Sequence, residues 1–345
     1  MLISEVPALL SKYIGVPQKQ IKTSWRVASL PRLTPDLVLD DGKHIFVVNY
    51  KSSSAKAPLI SSWSNSLQKE LTENSYWLLV VPFMSEAGRK FCEEHKISWM
   101  DLSGNAKIKT QDLFIHVEGN RNRFKGVGRP ADVFAPKSSR IARQLLIDPK
   151  RKITQRELSK TAELDEGLTS RIVRKLQEEG FIAKDREGNI YVPNPALLLD
   201  EWRDSYDFNK HSVIKGHIAS RSSANLLTEF SDLMKKFKLP YAATGLGAAW
   251  LYDHFANFRV VTFYLKERLN DKLKDEIGFR QDERGANTWL VIPKDDGVFQ
   301  GSKEEQGVTC VHPVQVYLDL KSHPERAAEA AESLRKHYMN WSVSE

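Results

Sequence analysis

The residues best able to do chemistry in this chain are cations, hydroxyls and amides at spacings that suit phosphates and base edges. Thr169, Ser170, Arg171, Arg174 and Lys175 fall within one run, Lys184 and Arg186 follow in a short hairpin, and Gln155 and Arg156 lie just upstream. Guanidinium groups pair bidentately with guanine or phosphate, and polar side chains also fix the register of a duplex through its backbone. A second cluster precedes them. Arg121, Arg123, Lys125, Arg129, Lys137, Arg140, Arg143, Lys150, Arg151 and Lys152 share a span whose acids are Asp132 and Asp148. Such a span suits a face that follows nucleic-acid phosphates, and the formal net charge of +7 over 345 residues permits it.

The elements that must position these groups read as a winged helix-turn-helix over residues 137–196. Ile141, Leu145 and Leu146 mark one helix. Thr154-Gln-Arg-Glu157 is a capping box that starts a second, short helix. Leu168, Ile172, Val173 and Leu176 form the stripe of a third, which Gly180 ends. Phe181-Ile-Ala, a turn at Gly188-Asn189 and Ile190-Tyr-Val form the wing. Turning the stripe inward leaves Thr169, Ser170, Arg171 and Arg174 outward, on the half of the helix that enters a major groove. Lys184 and Arg186 sit at the wing tip, and Gln155 and Arg156 suit phosphates. Asp165 and Glu166 favour the other reading, a protein-interaction or dimerisation module, because carboxylates repel phosphate.

Residues 1–119 read as an α/β domain. A short helix surrounds Ala8 to Tyr13, a hairpin turns at Asp41-Gly42 between Asp36–Asp40 and Ile45–Tyr50, and a helix covers Leu59 to Glu73. Tyr76-Trp-Leu-Leu-Val-Val-Pro is a buried strand, Ser85 caps a helix reaching His95, and Ile97–Leu102 and Leu113–Glu118 are strands. Asp36, the hairpin and Asn49-Tyr50-Lys51 resemble the PD-(D/E)xK restriction-endonuclease fold. That family holds a divalent metal between the first Asp and an acid in the place of Asn49, with the Lys assisting the attacking water. A neutral amide is a poor ligand for a hard cation. Asp36, Asn49 and Lys51 therefore read as vestigial, and the domain as a scaffold without a metal. Asp101-Leu-Ser-Gly-Asn105, a polar cluster just after a strand, reads as a turn, with a site as the alternative.

Residues 120–136 are a basic linker, in which Gly128-Arg129-Pro130 is similar to the core of a minor-groove hook. Residues 197–345 read as an α+β domain. Thr244-Gly-Leu-Gly-Ala-Ala-Trp250 followed by Arg259–Leu265 resembles minimal nucleotidyltransferases, which hold a triphosphate at a small-residue turn and two metals on a strand with two acids. Here the strand reads Thr262-Phe-Tyr-Leu265, without acids. Two-metal chemistry needs those charges, so this domain too is expected to lack catalysis. No cofactor is expected, and nucleotide binding by the Gly245 turn stays open.

The composition, 41% hydrophobic and 28% charged, is that of a globular protein, and no run approaches the roughly 20 apolar residues of a membrane span. The start shows no signal-peptide pattern. Cys92 and Cys310 form no C-x-x-C motif, which excludes a zinc ribbon or thioredoxin-like site. Phe134-Ala-Pro-Lys-Ser-Ser-Arg-Ile-Ala-Arg143, the winged helix, Leu198-Leu-Asp-Glu-Trp202 and Val314-Gln-Val-Tyr-Leu-Asp-Leu320 together resemble the AbiEi-type antitoxins of type IV toxin–antitoxin systems. The resemblance implies a cytoplasmic repressor of its own operon, with duplex DNA and a cognate toxin as partners and the oligomeric state open, a dimer included. The alternatives are a metal-dependent endonuclease addressed by the winged helix, and a scaffold that neutralises a toxin.

Overall fold

The computed structural model describes residues 2–24, 35–50, 74–124, 132–255 and 257–341. Lys51, Arg129 and the helix expected over residues 59–73 lie outside them. The chain divides into two compact units, Met1–Pro130 and Ala131–Glu345. Among the described residues no helix is long and apolar enough to cross a membrane.

The first unit is one mixed sheet whose strands lie in sequence order: β1 (Lys22–Ser24), β2 (Leu37–Asp40), β3 (Ile45–Tyr50), β4 (Ser75–Val81), β5 (Ser98–Asp101), β6 (Ala106–Lys109) and β7 (Phe114–Val117). The β3–β4 and β4–β5 pairs are parallel and the others antiparallel. Tyr76 to Val81 is apolar throughout because β4 is central, and buried parallel strands need apolar residues on both faces. α1 (Val6–Ile14) and α2 (Glu86–Glu94) are the described α-helices of this unit, and Ser85 Oγ caps α2 by accepting from the Gly88 amide. Leu39, Phe46, Val48, Leu78 and Met100 lie in the core. The Cys92 thiol is buried, which pushes its pKa up to about 12.

Asp101 to Asn105 forms the closed turn that its composition suggested. The Asp101 carboxylate is buried and accepts from the Met84 and Asn105 amides and from Asn105 Nδ2. Asn105 in turn accepts from the Asn120 amide at 2.9 Å, which ties the outgoing chain to the sheet.

The second unit holds both the three-helix region and the carboxy-terminal part, on one continuous core. Its helices α3 (Ser139–Ile147), α4 (Gln155–Thr161) and α5 (Glu166–Glu178) are followed by the wing strands β8 (Ala183–Lys184) and β9 (Ile190–Tyr191). Ile153 adds a bridge to Ile190. The Asn194 side chain caps α6 (Pro195–Ser205), which leads into a second mixed sheet ordered β13-β10-β14-β12-β11-β16-β15. These strands are β10 (Ser212–His217), β11 (Tyr241–Thr244), β12 (Val261–Leu265), β13 (Arg280–Gln281), β14 (Thr288–Ile292), β15 (Lys303–Glu305) and β16 (Val308–Cys310). The accompanying helices are α7 (Ser223–Lys236), α8 (Gly245–Asp253), α9 (Asp271–Glu276), α10 (Pro313–Asp319) and α11 (Ala327–Tyr338).

One ionic cluster in the first unit gives a testable pH dependence. His44 lies between Asp41, at 2.9 Å from Nδ1, and Asp112, at 2.7 Å from Nε2. The cluster links the β2–β3 turn to the β6–β7 turn. Burial disfavours the charged ring, but the hydrogen bonds to Asp112 and Asp41 outweigh it and raise the pKa above the ordinary histidine value. The fold therefore favours protonated His44. Its contribution is complete below the unfolded-state pKa of about 6.5 and is lost as the pH rises through the higher folded value. In urea unfolding of the full chain, the transition that reports this unit should move to lower urea as the pH rises from about 6 to about 8. His44→Gln should flatten that dependence, and an unchanged slope in this variant would refute the assignment.

Candidate nucleic-acid interface

The third helix of the three, α5, starts where an acid caps it. The Asp165 carboxylate accepts from the Leu168 amide at 2.7 Å. A negative charge at this point also complements the helix dipole. Thr154 caps α4 in the same way, accepting from the Glu157 amide at 3.2 Å. Past the end of α5, Gly180 adopts φ +75°, which lets the chain reverse into the wing. In the wing turn the Asp185 carboxylate accepts from the Glu187 and Asn189 amides and leaves Arg186 exposed.

The rotation of α5 follows from its buried residues, Thr169, Ile172, Val173 and Leu176. Arg171 and Arg174 are exposed on the opposite side and Ser170 is half-buried. Gln155 is half-buried at the start of α4, and Arg156, Lys184 and Arg186 are exposed. Lys175 is half-buried and paired with Glu179 at 3.2 Å.

Three expectations need correction. Thr169 is fully buried, and its hydroxyl donates to the Asp165 carbonyl at 2.9 Å. The spacing of 169, 172, 173 and 176 is the i, i+3, i+4, i+7 stripe, so Thr169 joins the core and Leu168 lies at its edge. Arg140 does not face solvent as a DNA contact. It grips both oxygens of Asp295, at 2.7 and 3.1 Å, and reaches Glu163 at 3.2 Å. The basic span is also not one outward face. Arg143 is buried, Arg151 pairs with Glu157 and Lys152 with Asp185.

Arg143 enters a polar network that the sequence reading missed. Its Nη2 donates to Gln315 Oε1 at 2.6 Å, and Gln315 Nε2 donates to Asp319 Oδ1 at 2.7 Å. Asp319 also accepts from the hydroxyls of Tyr206, Tyr264 and Thr244. Burial raises the Asp319 pKa to about 6 against these four hydrogen bonds. Burial also draws the Arg143 guanidinium down to about 10, where it stays charged at neutral pH. His211 is held down to about 4, first by burial and then by Arg143. Its Nδ1 accepts from the Lys294 amide, so Nε2 carries the proton, 3.0 Å from the Tyr206 hydroxyl. The available signal was Gln315 and Asp319, one helical turn apart inside an otherwise apolar Val314–Leu320.

The two enzyme-like outlines resolve as follows. Asp36 stands one step beyond the Leu37–Val48 pair, across from Asn49, which is buried. Its carboxylate accepts from the Tyr50 amide at 2.8 Å. In the second unit Gly245 opens α8 at φ +61°, and a Cβ there would stand 2.8 Å from His323 Nε2. His323 bonds Thr262 Oγ1 at 2.9 Å, and Thr244, Gly245, Leu246 and Gly247 are all buried. The His323 ring thus fills the space next to the turn.

Three helices and a two-stranded hairpin are joined here to an α/β body through a buried charge network. Residues 191–340 match the family model described as a transcriptional regulator, AbiEi antitoxin of a type IV toxin–antitoxin system. The family resemblance drawn from the sequence holds for those residues. They include Tyr206, Thr244, Tyr264, Gln315 and Asp319, and leave out α3 to α5. No curated protein matches the chain. Among solved structures, the crystal structure of a repair endonuclease from Pyrococcus abyssi aligns at 22% identity over 29% of this chain. The alignment spans 46% of that chain, less than half its length, and the TM-score of 0.22 is too low to define a shared fold.

Gln315 bridges two buried opposite charges, so removing its amide takes from Arg143 its acceptor and from Asp319 one of four donors. Gln315→Leu should lower the stability of the second unit by about 3–5 kcal/mol, from two lost hydrogen bonds to charged groups at about 1.5–3 kcal/mol each. Chemical denaturation measures it, and a loss under about 1 kcal/mol would mean that the network contributes little.

Proposed function

We propose that this chain is a sequence-specific duplex-DNA-binding regulator of the antitoxin type, acting in the cytoplasm on its own operon and facing a cognate toxin. The observation that carries the reading is the pairing of a buried stripe on α5 with exposed Arg171 and Arg174, flanked by Arg156 and by Lys184 and Arg186 of the wing. Arg171 and Arg174 read base edges in the major groove, with Ser170 beside them. Gln155, Arg156 and the wing cations hold phosphates. The capping role of Asp165 weakens the objection raised by acids at this end of the helix, because its charge is bound to the helix amides. The match of residues 191–340 to a family described as regulators and antitoxins supports the same reading.

We further propose that neither enzyme-like outline is catalytic. Asn49 supplies no charge beside Asp36, and β12 presents Thr262 and Tyr264 where paired acids would bind metals. Supercoiled plasmid should stay intact with magnesium or manganese. Cleavage that disappears in Asp36→Ala would overturn this.

The DNA reading is tested by selecting a cognate sequence from a random duplex pool. Arg171→Ala or Arg174→Ala should reduce discrimination for that sequence by about 1–3 kcal/mol, the worth of a bidentate arginine–guanine pair. Lys184→Ala and Arg186→Ala should weaken cognate and random duplex alike. Affinity should fall with salt at a log–log slope of roughly −2 to −3, given three cations on phosphates at up to about 0.9 each. A pool without enrichment, or a slope near zero, would refute specific readout.

A further inference from the structure

Arg143 keeps most of its hydrogen-bonding capacity unused. It is 3% exposed, and its Nε and Nη1 are buried with no hydrogen-bond partner among the described residues. Gln315 takes only Nη2. An arginine carries five N–H donors in a fixed planar fork, and ionised donors buried without acceptors are costly. Its surroundings are built for close approach. A Cβ at Gly297 would come within 3.0 Å of Nη1, so a residue without one is needed there.

Arg143 lines a cleft of about 40 Å³. On its polar side are Lys210 and Lys294, both exposed. On its apolar side are Phe134, Trp202 and Val298, with the Phe134 and Trp202 rings stacked at 6.1 Å and 9°. The Trp202 ring centroid lies 5.0 Å from the guanidinium carbon. Asp295 and Asp207 also line the cleft; Arg140 occupies both Asp295 oxygens, while Asp207 is exposed and accepts from the Asn209 amide. Arg143, Lys210 and Lys294 set against Asp207 leave the charge positive.

We propose that this cleft binds a small organic monocarboxylate, its oxygens on the Arg143 fork and its short tail against Phe134 and Trp202. A planar two-oxygen anion matches the guanidinium fork. A water needs roughly 10–15 Å³ of such space, so the cleft accepts about three positions of that size, enough for an acetate- or propionate-sized ion. Inorganic phosphate would satisfy the fork but gain nothing from the aromatic wall. The site depends on the fold of the second unit alone, not on DNA binding.

The test uses the full chain with sodium propionate, its neutral isostere propionamide, and inorganic phosphate, at ionic strength held constant with sodium chloride. Propionate should bind at one saturable site by calorimetry and raise the thermal midpoint as ligand linkage requires. Propionamide should do neither. Lys210→Ala and Lys294→Ala should each weaken propionate about two- to five-fold, as partly screened charges do. Arg143→Lys keeps the charge and removes the fork, and should weaken it about tenfold or more. If that variant does not fold, the two exposed lysine variants decide. No saturable binding, equal binding of propionamide, or an affinity unchanged in the lysine double variant would overturn the proposal. Phosphate binding more tightly than propionate would overturn the carboxylate assignment.

Discussion

The second unit depends on a buried arginine and a buried aspartate that never touch. Gln315 stands between them, accepting from Arg143 through its carbonyl oxygen and donating to Asp319 through its amide nitrogen. An amide offers both functions on one rigid group, and asparagine, the other amide, is one methylene shorter. The arrangement joins three parts of the chain. Arg143 comes from α3, Tyr206 from the end of α6, and Thr244 and Tyr264 from the central strands of the second sheet. Hydrogen bonds satisfy the carboxylate while burial opposes its charge, and the balance leaves Asp319 near 6. Such a network gives less stability than apolar packing would, but breaking one member is expensive, which restricts how α3 can sit on the body.

The same constraint explains the acid-free strand. On β12, Thr262 and Tyr264 point to one side and hydrogen-bond His323 and Asp319 respectively. Both partners come from the segment that follows β16. Hydroxyls at these two positions suit a surface covered by protein, since each donates to or accepts from a neutral ring or a carboxylate without adding charge. Two acids there would face the buried Asp319 and repel it. His323, kept neutral near 4 by burial, also adds no charge to the core. Gly245 fits this packing on two counts, its positive φ and the nearness of the His323 ring.

Much of the local structure was legible because it rests on short-range chemistry. The caps at Ser85 and Thr154, the turn at Asp41-Gly42, the reversal at Gly180 and the apolar run of β4 from Tyr76 lie where residue types and spacing placed them. Strands β1, β6, β10, β11, β13 and β15 were not foreseen, being short or carrying polar residues that tertiary pairing overrides. The charged site residues were less legible still. A run of cations states the total charge and says nothing about which way each side chain turns. Ser139, Ala142, Arg143 and Leu146 do fall at i, i+3, i+4 and i+7, so a second inward face of α3 was written in the spacing. The small Ser139 and Ala142 beside Arg143 mark a close approach, which charge counting alone passes over.

Thr169 shows the same principle on the helix proposed to read DNA. Assigning Leu168 to the stripe rotates α5 by about 100° per residue relative to assigning Thr169, because helical residues advance by that angle. The structure resolves the choice through Thr169, whose methyl enters the core while its hydroxyl returns to the Asp165 carbonyl. A threonine can satisfy its own polar atom within the helix, so burying it costs little and the apolar pattern understates the buried face. The outward face is correspondingly narrower, with Arg171 and Arg174 three residues apart and Ser170 at its margin. Residues at that spacing lie on one side of a helix, close enough to meet successive positions along a groove. What aims that face is the inward grip of Thr169, Ile172, Val173 and Leu176 on the unit's continuous core, the same core whose polar centre is the Arg143–Gln315–Asp319 bridge.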